Sequence, residues 1–85
     1  MKDHDPHLKA VFLEIVENQL ADNNPPETRE TLDRLIARGI SEDDSKRYIA
    51  QAILVEIYDI LKYKNEFRLD RYLKNLKRLP KEPKE

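Results

Sequence analysis

The apolar residues of this chain are concentrated in one segment near its middle and are spread more thinly on either side. The segment from Tyr48 to Leu61 is interrupted by only three polar side chains. At 100° per residue, seven of its apolar side chains share one broad helical face. These are Ile49, Ala50, Ile53, Leu54, Ile57, Ile60 and Leu61. A helix this apolar has to be covered on several sides, so we expect it to be a buried central helix. Leu54→Asp should then unfold the domain by burying an unpaired charge.

Two amphipathic segments precede the central one and predict two helices. Asp5 followed by Pro6 is a favourable helix start, and apolar residues then recur every three or four positions, which predicts a helix from about Pro6 to Ala21. Asn24 followed by Pro25 repeats that start and predicts a second helix over about Pro25 to Arg38. Its narrow apolar stripe indicates a surface helix, with Arg34 on the face turned away from the core.

The central helix and the last one are bounded by clear local signals. Gly39 stands where a left-handed C-terminal cap belongs, and Ser41 followed by three acidic residues is a good N-terminus. The third helix is therefore predicted to run from Ser41 to about Tyr63. A fourth is predicted from about Leu69 to Arg78, where Pro80 stops it.

These segments predict an all-α fold: a compact four-helix domain built on a central hydrophobic third helix. Residues 5–79 are the single helical domain, residues 1–4 a disordered N-terminus and residues 80–85 a disordered C-terminal tail. The second and fourth helices are expected as outer layers. One glycine and no cysteine argue against hairpins, glycine-rich phosphate loops, disulfides and thiolate metal sites.

Charge is distributed unevenly along the chain. Residues 1–44 carry five basic and eleven acidic side chains, whereas residues 45–85 carry eleven basic and six acidic ones. We expect both sets of charges to lie on outer helix faces in contact with solvent. The alternatives are a basic partner surface or head-to-tail self-association. The polar start is unlike a signal peptide and no apolar run is long enough for a membrane span, so we expect a cytoplasmic protein without membrane contact.

Several short motifs resemble a bacterial family of uncharacterised proteins, a domain of unknown function. They are Asp5-Pro6-His7-Leu8-Lys9, Asn18-Gln19, Asn24-Pro25-Pro26 with Arg29, and the run from Tyr72 to Leu79. The resemblance spans about residues 5–79 and implies a helical fold and a bacterial source, but no activity. The resemblance implies histidines in other members where this chain has Lys9, Leu13 and Arg47. If those histidines bind a metal in relatives, this chain lacks the ligands.

Gln19 and Gln51 are polar residues at positions that the pattern predicts to be buried. Gln19 interrupts the apolar face of the first helix, and Gln51 lies among Tyr48, Val55 and Tyr58. A buried amide without a partner costs roughly 1–3 kcal/mol. We expect a structural role, a hydrogen bond to the other glutamine or to a tyrosine hydroxyl. The alternative is a polar pocket between helices.

Few residues suggest chemistry. Glu56 and Asp59 share a helix face and could act as an acid–base pair or bind a hard cation, but they lie on the most polar side of the third helix and indicate a solvated strip. His4 and His7 are too few for a transition-metal site. We therefore predict no catalytic residues, no metal, no cofactor and no enzyme activity.

Two binding functions stay open. Arg71, Lys74 and Arg78 fall on one side of the fourth helix and could contact phosphates, which makes a weak nucleic-acid binder the alternative hypothesis. The favoured hypothesis is a small non-catalytic interaction module, binding a protein partner or a second copy of itself. Its surface would comprise Leu13, Tyr48, Tyr58 and Tyr63, because a small helical domain cannot cover every apolar side of its central helix.

Overall fold

The computed structural model describes residues 6–82, with side chains from residue 10 onward. Four helices follow one another: α1 (Pro6–Asp22), α2 (Pro26–Ala37), α3 (Glu42–Tyr63) and α4 (Leu69–Arg78). No strand occurs in this described range, so the predicted all-α fold is confirmed. The Asp5 cap and the predicted disorder of residues 1–4 lie outside the described residues.

The ends of α2 and α3 are set by local signals. After α2, the Gly39 N–H donates to Ile36 O at 2.9 Å and the Ile40 N–H donates to Leu35 O at 3.1 Å. Gly39 has φ +94°, and this pair of bonds is the Schellman arrangement that satisfies the last carbonyls of a helix. At the start of α3, the Ser41 hydroxyl accepts a hydrogen bond from the Asp44 N–H at 3.1 Å. Both caps lie where the sequence predicts them.

The start of α2 differs by one residue from the prediction. Pro25 is the N-cap and Pro26 the first helical residue, whereas the sequence predicts a cap at Asn24. The Asn24 N–H instead donates to Gln19 O at 3.0 Å, which assigns Asn24 to the end of α1. Asn23 has φ +51°, a left-handed conformation that asparagine tolerates well.

Helix α3 lies at the centre, as predicted, and packs against each of the other three helices. Helix α2 also packs against all three others and has four buried residues, so the prediction of α2 as a surface helix in an outer layer is wrong. Within the described part of the chain, the backbones of α1 and α4 do not approach each other. The core joins side chains of all four helices and of the segment after α4: Val16, Leu20, Leu32, Leu35, Ile49, Ala50, Ala52, Ile53, Tyr72, Leu76 and Leu79.

The buried face of α3 overlaps the predicted face only in part. Ile49, Ala50 and Ile53 are buried, as predicted, whereas Leu54 and Leu61 are exposed. Ser45, Ala52 and Glu56 are buried in addition. The single charge among them, Glu56, has partners on the α4 side.

Three apolar residues of α3 point outward instead. Leu54, Tyr58 and Leu61 lie on the opposite side and are 42%, 55% and 75% exposed. The expectation that Leu54 is buried is therefore wrong, and the physical reason for expecting Leu54→Asp to unfold the domain no longer holds.

One further detail of the predicted fold needs correction. Arg34 does not face away from the domain: its guanidinium donates to the carbonyl oxygens of Leu79 and Leu76 at 2.9 and 2.8 Å and so holds the end of α4. Residues 80–82 of the predicted tail follow α4 in a turn, closed by the Lys81 N–H on Arg78 O at 2.9 Å. Residues 83–85 lie outside the described range.

None of the helices described here has the length and apolar character needed to cross a lipid bilayer.

Candidate interaction surface

Glu56 is fully buried and joins α3 to the start of α4. Its Oε1 accepts from the Arg68 N–H at 2.9 Å and from Arg71 Nη2 at 3.0 Å, and its Oε2 accepts from Arg71 Nε at 2.5 Å. The prediction of a solvated strip at Glu56 is therefore wrong. Sequence reasoning missed this burial because the compensating arginine lies fifteen residues further along the chain.

Asp59 completes the same cluster from the next turn of α3. Its Oδ2 accepts from Asn65 Nδ2 at 3.1 Å and lies 3.1 Å from Arg71 Nη2. These interactions hold the pKa of Asp59 below its usual range, and the hydrogen bond from Asn65 has the largest effect. Hydrogen bonding to Glu56, followed by that to Asp59, raises the pKa of Arg71. Both carboxylates accept hydrogen bonds, from Arg71, the Arg68 backbone N–H and the Asn65 side-chain amide. The cluster therefore attaches α4 to α3.

A second polar group sits between α1, α2 and α4. Gln19 is half-buried, and its Oε1 lies 2.7 Å from Thr28 Oγ1 and 2.8 Å from the Tyr72 hydroxyl, while the two hydroxyls lie 3.1 Å apart. Three oxygens share two hydroxyl protons, so two of the three contacts are hydrogen bonds at one time. The Tyr72 bond is of the kind hypothesised for Gln19. It links α1 to α4 although their backbones stay apart.

Gln51 has no such role. Its side chain is exposed on the outer side of α3, so the prediction that it is a buried structural amide is wrong. The error has the same cause as that at Leu54, because the helix is rotated relative to the predicted face. Gln51 lies one turn before Leu54 on that outer side.

The three basic residues predicted to meet nucleic acid do not form a common free surface. Arg71 is bound to Glu56 and Asp59. Arg78 is half-buried, and its Nε is buried without a hydrogen-bond partner among the described residues. Lys74 is exposed. Only Lys74 therefore presents its side chain openly to solvent.

The four residues predicted to meet a protein partner separate into two pairs. Leu13 and Tyr48 are half-buried and pack against the core. Tyr58 and Tyr63 are exposed, and Lys62 Nζ lies 5.7 and 5.3 Å from the centres of their rings. Cation–π contacts of this kind add roughly 0.5–1 kcal/mol at exposed sites. Half of the large exposed hydrophobic residues in the described range lie on the C-terminal half of α3, namely Leu54, Tyr58, Leu61 and Tyr63; the others are Val11, Ile36, Phe67 and Leu69.

The exposed side of α3 has a regular spacing that sequence reasoning missed. Its members are separated alternately by three and four residues and all are exposed: Asp44, Arg47, Gln51, Leu54, Tyr58 and Leu61. We call these six residues the outer stripe. Their spacing is that of the contact positions of a coiled coil, and it was readable in the sequence. The uniformly apolar character of α3 concealed it, because several different faces look equally suited to a core.

A shallow depression accompanies these features. It lies between α3 and α4, is lined by Tyr58, Asp59, Lys62, Tyr63 and Arg71 among others, and has about 10 Å³ of space, enough for about one water molecule. No group of three or more histidine, cysteine or acidic residues suited to a metal occurs among the described residues, and His4 and the His7 side chain lie outside them.

Compared with models of protein families, with curated proteins and with solved structures, the chain matches none of them. The resemblance to an uncharacterised bacterial family therefore stays a prediction. The geometry of the outer stripe is what remains to indicate a function.

Proposed function

We propose that this chain is a non-enzymatic helical module that binds another protein chain through the outer stripe of α3. The observation that carries the proposal is the exposure of Leu54, Tyr58 and Leu61 on successive turns of a single helix. Each methylene group kept in water forgoes about 0.8 kcal/mol relative to burial, so three large neighbouring side chains make burial against a partner favourable. Contiguous exposed apolar residues with a polar border are typical of protein–protein contact sites.

The remainder of the molecule supports a binding role because it provides a firm base for the stripe. The opposite side of α3 is buried in the core, and the Glu56 cluster fastens α4 to it. A helix face held in this way loses little conformational freedom on binding, which favours affinity.

A photoreactive side chain on the stripe tests the proposal. Tyr58 is replaced by benzoylphenylalanine in the tagged full chain, and Glu30, an exposed residue of α2, is replaced in a matched control. After irradiation in cells of the source organism, we expect a product of defined mass from position 58 only. That product should disappear when Leu61→Glu is added. No product from position 58, or the same products from position 30, would contradict the proposal.

A further inference from the structure

The exposed side of α3 carries charge as well as apolar groups. The two ends of the helix differ in charge, although Arg47 of the outer stripe lies near the acidic end, 3.9 Å from Asp44. The first turn of α3 is acidic, with exposed Glu42, Asp43 and Asp44. Its last turn and C-cap carry exposed Lys62 and Lys64. The apolar part of the outer stripe lies between these ends. A partner helix therefore has to offer basic groups at one end and acidic groups at the other.

A second copy of α3 meets these requirements when it lies antiparallel to the first. We propose that the chain forms a twofold-symmetric homodimer in which the outer stripes of two α3 helices pack antiparallel; this rests on the proposed function and identifies its partner. A twofold axis places the acidic first turn of each α3 beside the lysines of the other. A parallel arrangement places acid against acid and lysine against lysine, which is unfavourable.

In the antiparallel register, each apolar residue of the outer stripe lies opposite a polar residue of the second copy. With the axis midway between Gln51 and Leu54, each Leu54 packs beside Gln51 of the second copy near the centre. Tyr58 then meets Arg47 of the other copy, a pairing that favours a cation–π contact. The remaining pair brings Leu61 to Asp44, next to the charged ends.

On the side of the seam that carries Asp43, the same register places Asp43 close to Lys64 of the second copy. In antiparallel coiled coils, flanking positions of the same kind face each other, and these two residues occupy equivalent flanking positions. The uneven charge of the whole chain thus has a local counterpart at the ends of a single helix.

Sedimentation equilibrium of the pure full chain tests whether the dimer exists. The contact is one helix wide, so loading concentrations from about 10 µM to about 1 mM are needed. We expect a reversible monomer–dimer equilibrium whose dissociation constant rises at least about tenfold in Leu54→Glu. Glu30→Gln, on α2, serves as the control and should leave the constant unchanged. A monomer at every concentration, or a dimer unaffected by Leu54→Glu, would overturn the proposal.

Disulfide trapping tests the orientation, since the natural chain has no cysteine. Asp44→Cys and Leu61→Cys chains are mixed in a glutathione redox buffer, and the products are separated by mass. In the antiparallel register, position 44 of one copy lies beside position 61 of the other. At a rise of 1.5 Å per residue, identical positions of the two copies are about 25 Å apart. Because a disulfide needs α-carbons within about 7 Å, the 44-to-61 disulfide should exceed half of the disulfide-linked product, which is the share expected from random pairing. Any other distribution, including none, would contradict the antiparallel arrangement.

The two proposals fail in different ways. A pure chain that stays monomeric, while position 58 still forms its specific product with a different protein in cells, removes the homodimer and leaves the binding role of the stripe standing. A chain that dimerises with predominantly 44-to-44 and 61-to-61 disulfides keeps the binding role but reverses the orientation.

Discussion

Glu56 shows at the level of a single residue how this fold tolerates a buried charge. The carboxylate has no exposed surface, and three N–H groups from Arg68 and Arg71 satisfy it. Removing one partner of a buried ion pair leaves the other uncompensated, which typically costs 3–5 kcal/mol. Arg71 retains Asp59 as a second partner, which reduces the loss.

We therefore expect Glu56→Gln to lower the free energy of unfolding by about 3 kcal/mol, as measured by urea denaturation. The matched control is Glu66→Gln, which removes an equal charge from an exposed loop position and should change stability by less than about 0.5 kcal/mol. Equal effects of the two substitutions would show that Glu56 is not held in the cluster.

Tyr72 places a hydroxyl inside the core, and its ionisation reports that burial. Burial raises the pKa of Tyr72 to about 12, against an ordinary tyrosine value of about 10. Since the folded pKa is the higher one, this contribution to stability is complete below about pH 10 and is lost as the pH rises through 12. Titration of tyrosinate absorbance should show a component near pH 12 that is missing in Tyr72→Phe. Identical titrations of the two proteins would contradict the burial.

At the level of the helices, the connection between α2 and α3 depends on one glycine. Gly39 has φ +94°, and no atom outside its immediate neighbours lies within 4 Å of the place that a β-carbon would occupy, so backbone strain alone opposes a side chain there. We expect Gly39→Ala to cost about 1 kcal/mol of unfolding free energy and Gly39→Asn to cost less, because asparagine tolerates left-handed conformations. Thermal melts of the three proteins check the order. An alanine variant as stable as the parent would show that the cap is not required.

The end of α4 is held from α2 by Arg34. Two charged hydrogen bonds to Leu76 O and Leu79 O are lost in Arg34→Met, and we expect about 2 kcal/mol of destabilisation with faster amide exchange at the end of α4. Arg38→Met removes an exposed arginine from the same stretch and is the control. Unchanged exchange at the end of α4 in the Arg34 variant would refute this attachment.

These helices were largely predictable because their ends depend on neighbours in sequence. The Gly39 and Ser41 caps and the stop at Pro80 are local signals, and α4 has the predicted limits. The Tyr72 bond to Gln19 and the Arg71 bond to Glu56 join residues 53 and 15 positions apart. No local pattern encodes such pairings, so the position of the polar clusters could not be read from the sequence.

For the molecule as a whole, the central claim is that α3 divides it into a buried core on one side and a binding face on the other. Neighbouring residues occupy the two sides: Ile53 is 1% exposed, whereas Leu54 is 42% exposed. We therefore expect a substitution to aspartate to prevent folding at position 53 but not at position 54. It places a charge in the core in one case and at the proposed interface in the other.

Thermal unfolding of Ile53→Asp and Leu54→Asp, followed by circular dichroism at low protein concentration, tests this claim most directly. We expect Ile53→Asp to abolish the cooperative transition, because a buried unpaired charge costs more than a domain of this size can offset. Leu54→Asp should melt cooperatively, within about 1 kcal/mol of the parent. Loss of folding in both variants, or in Leu54→Asp alone, would show that the outer stripe belongs to the core and would contradict the proposed binding face.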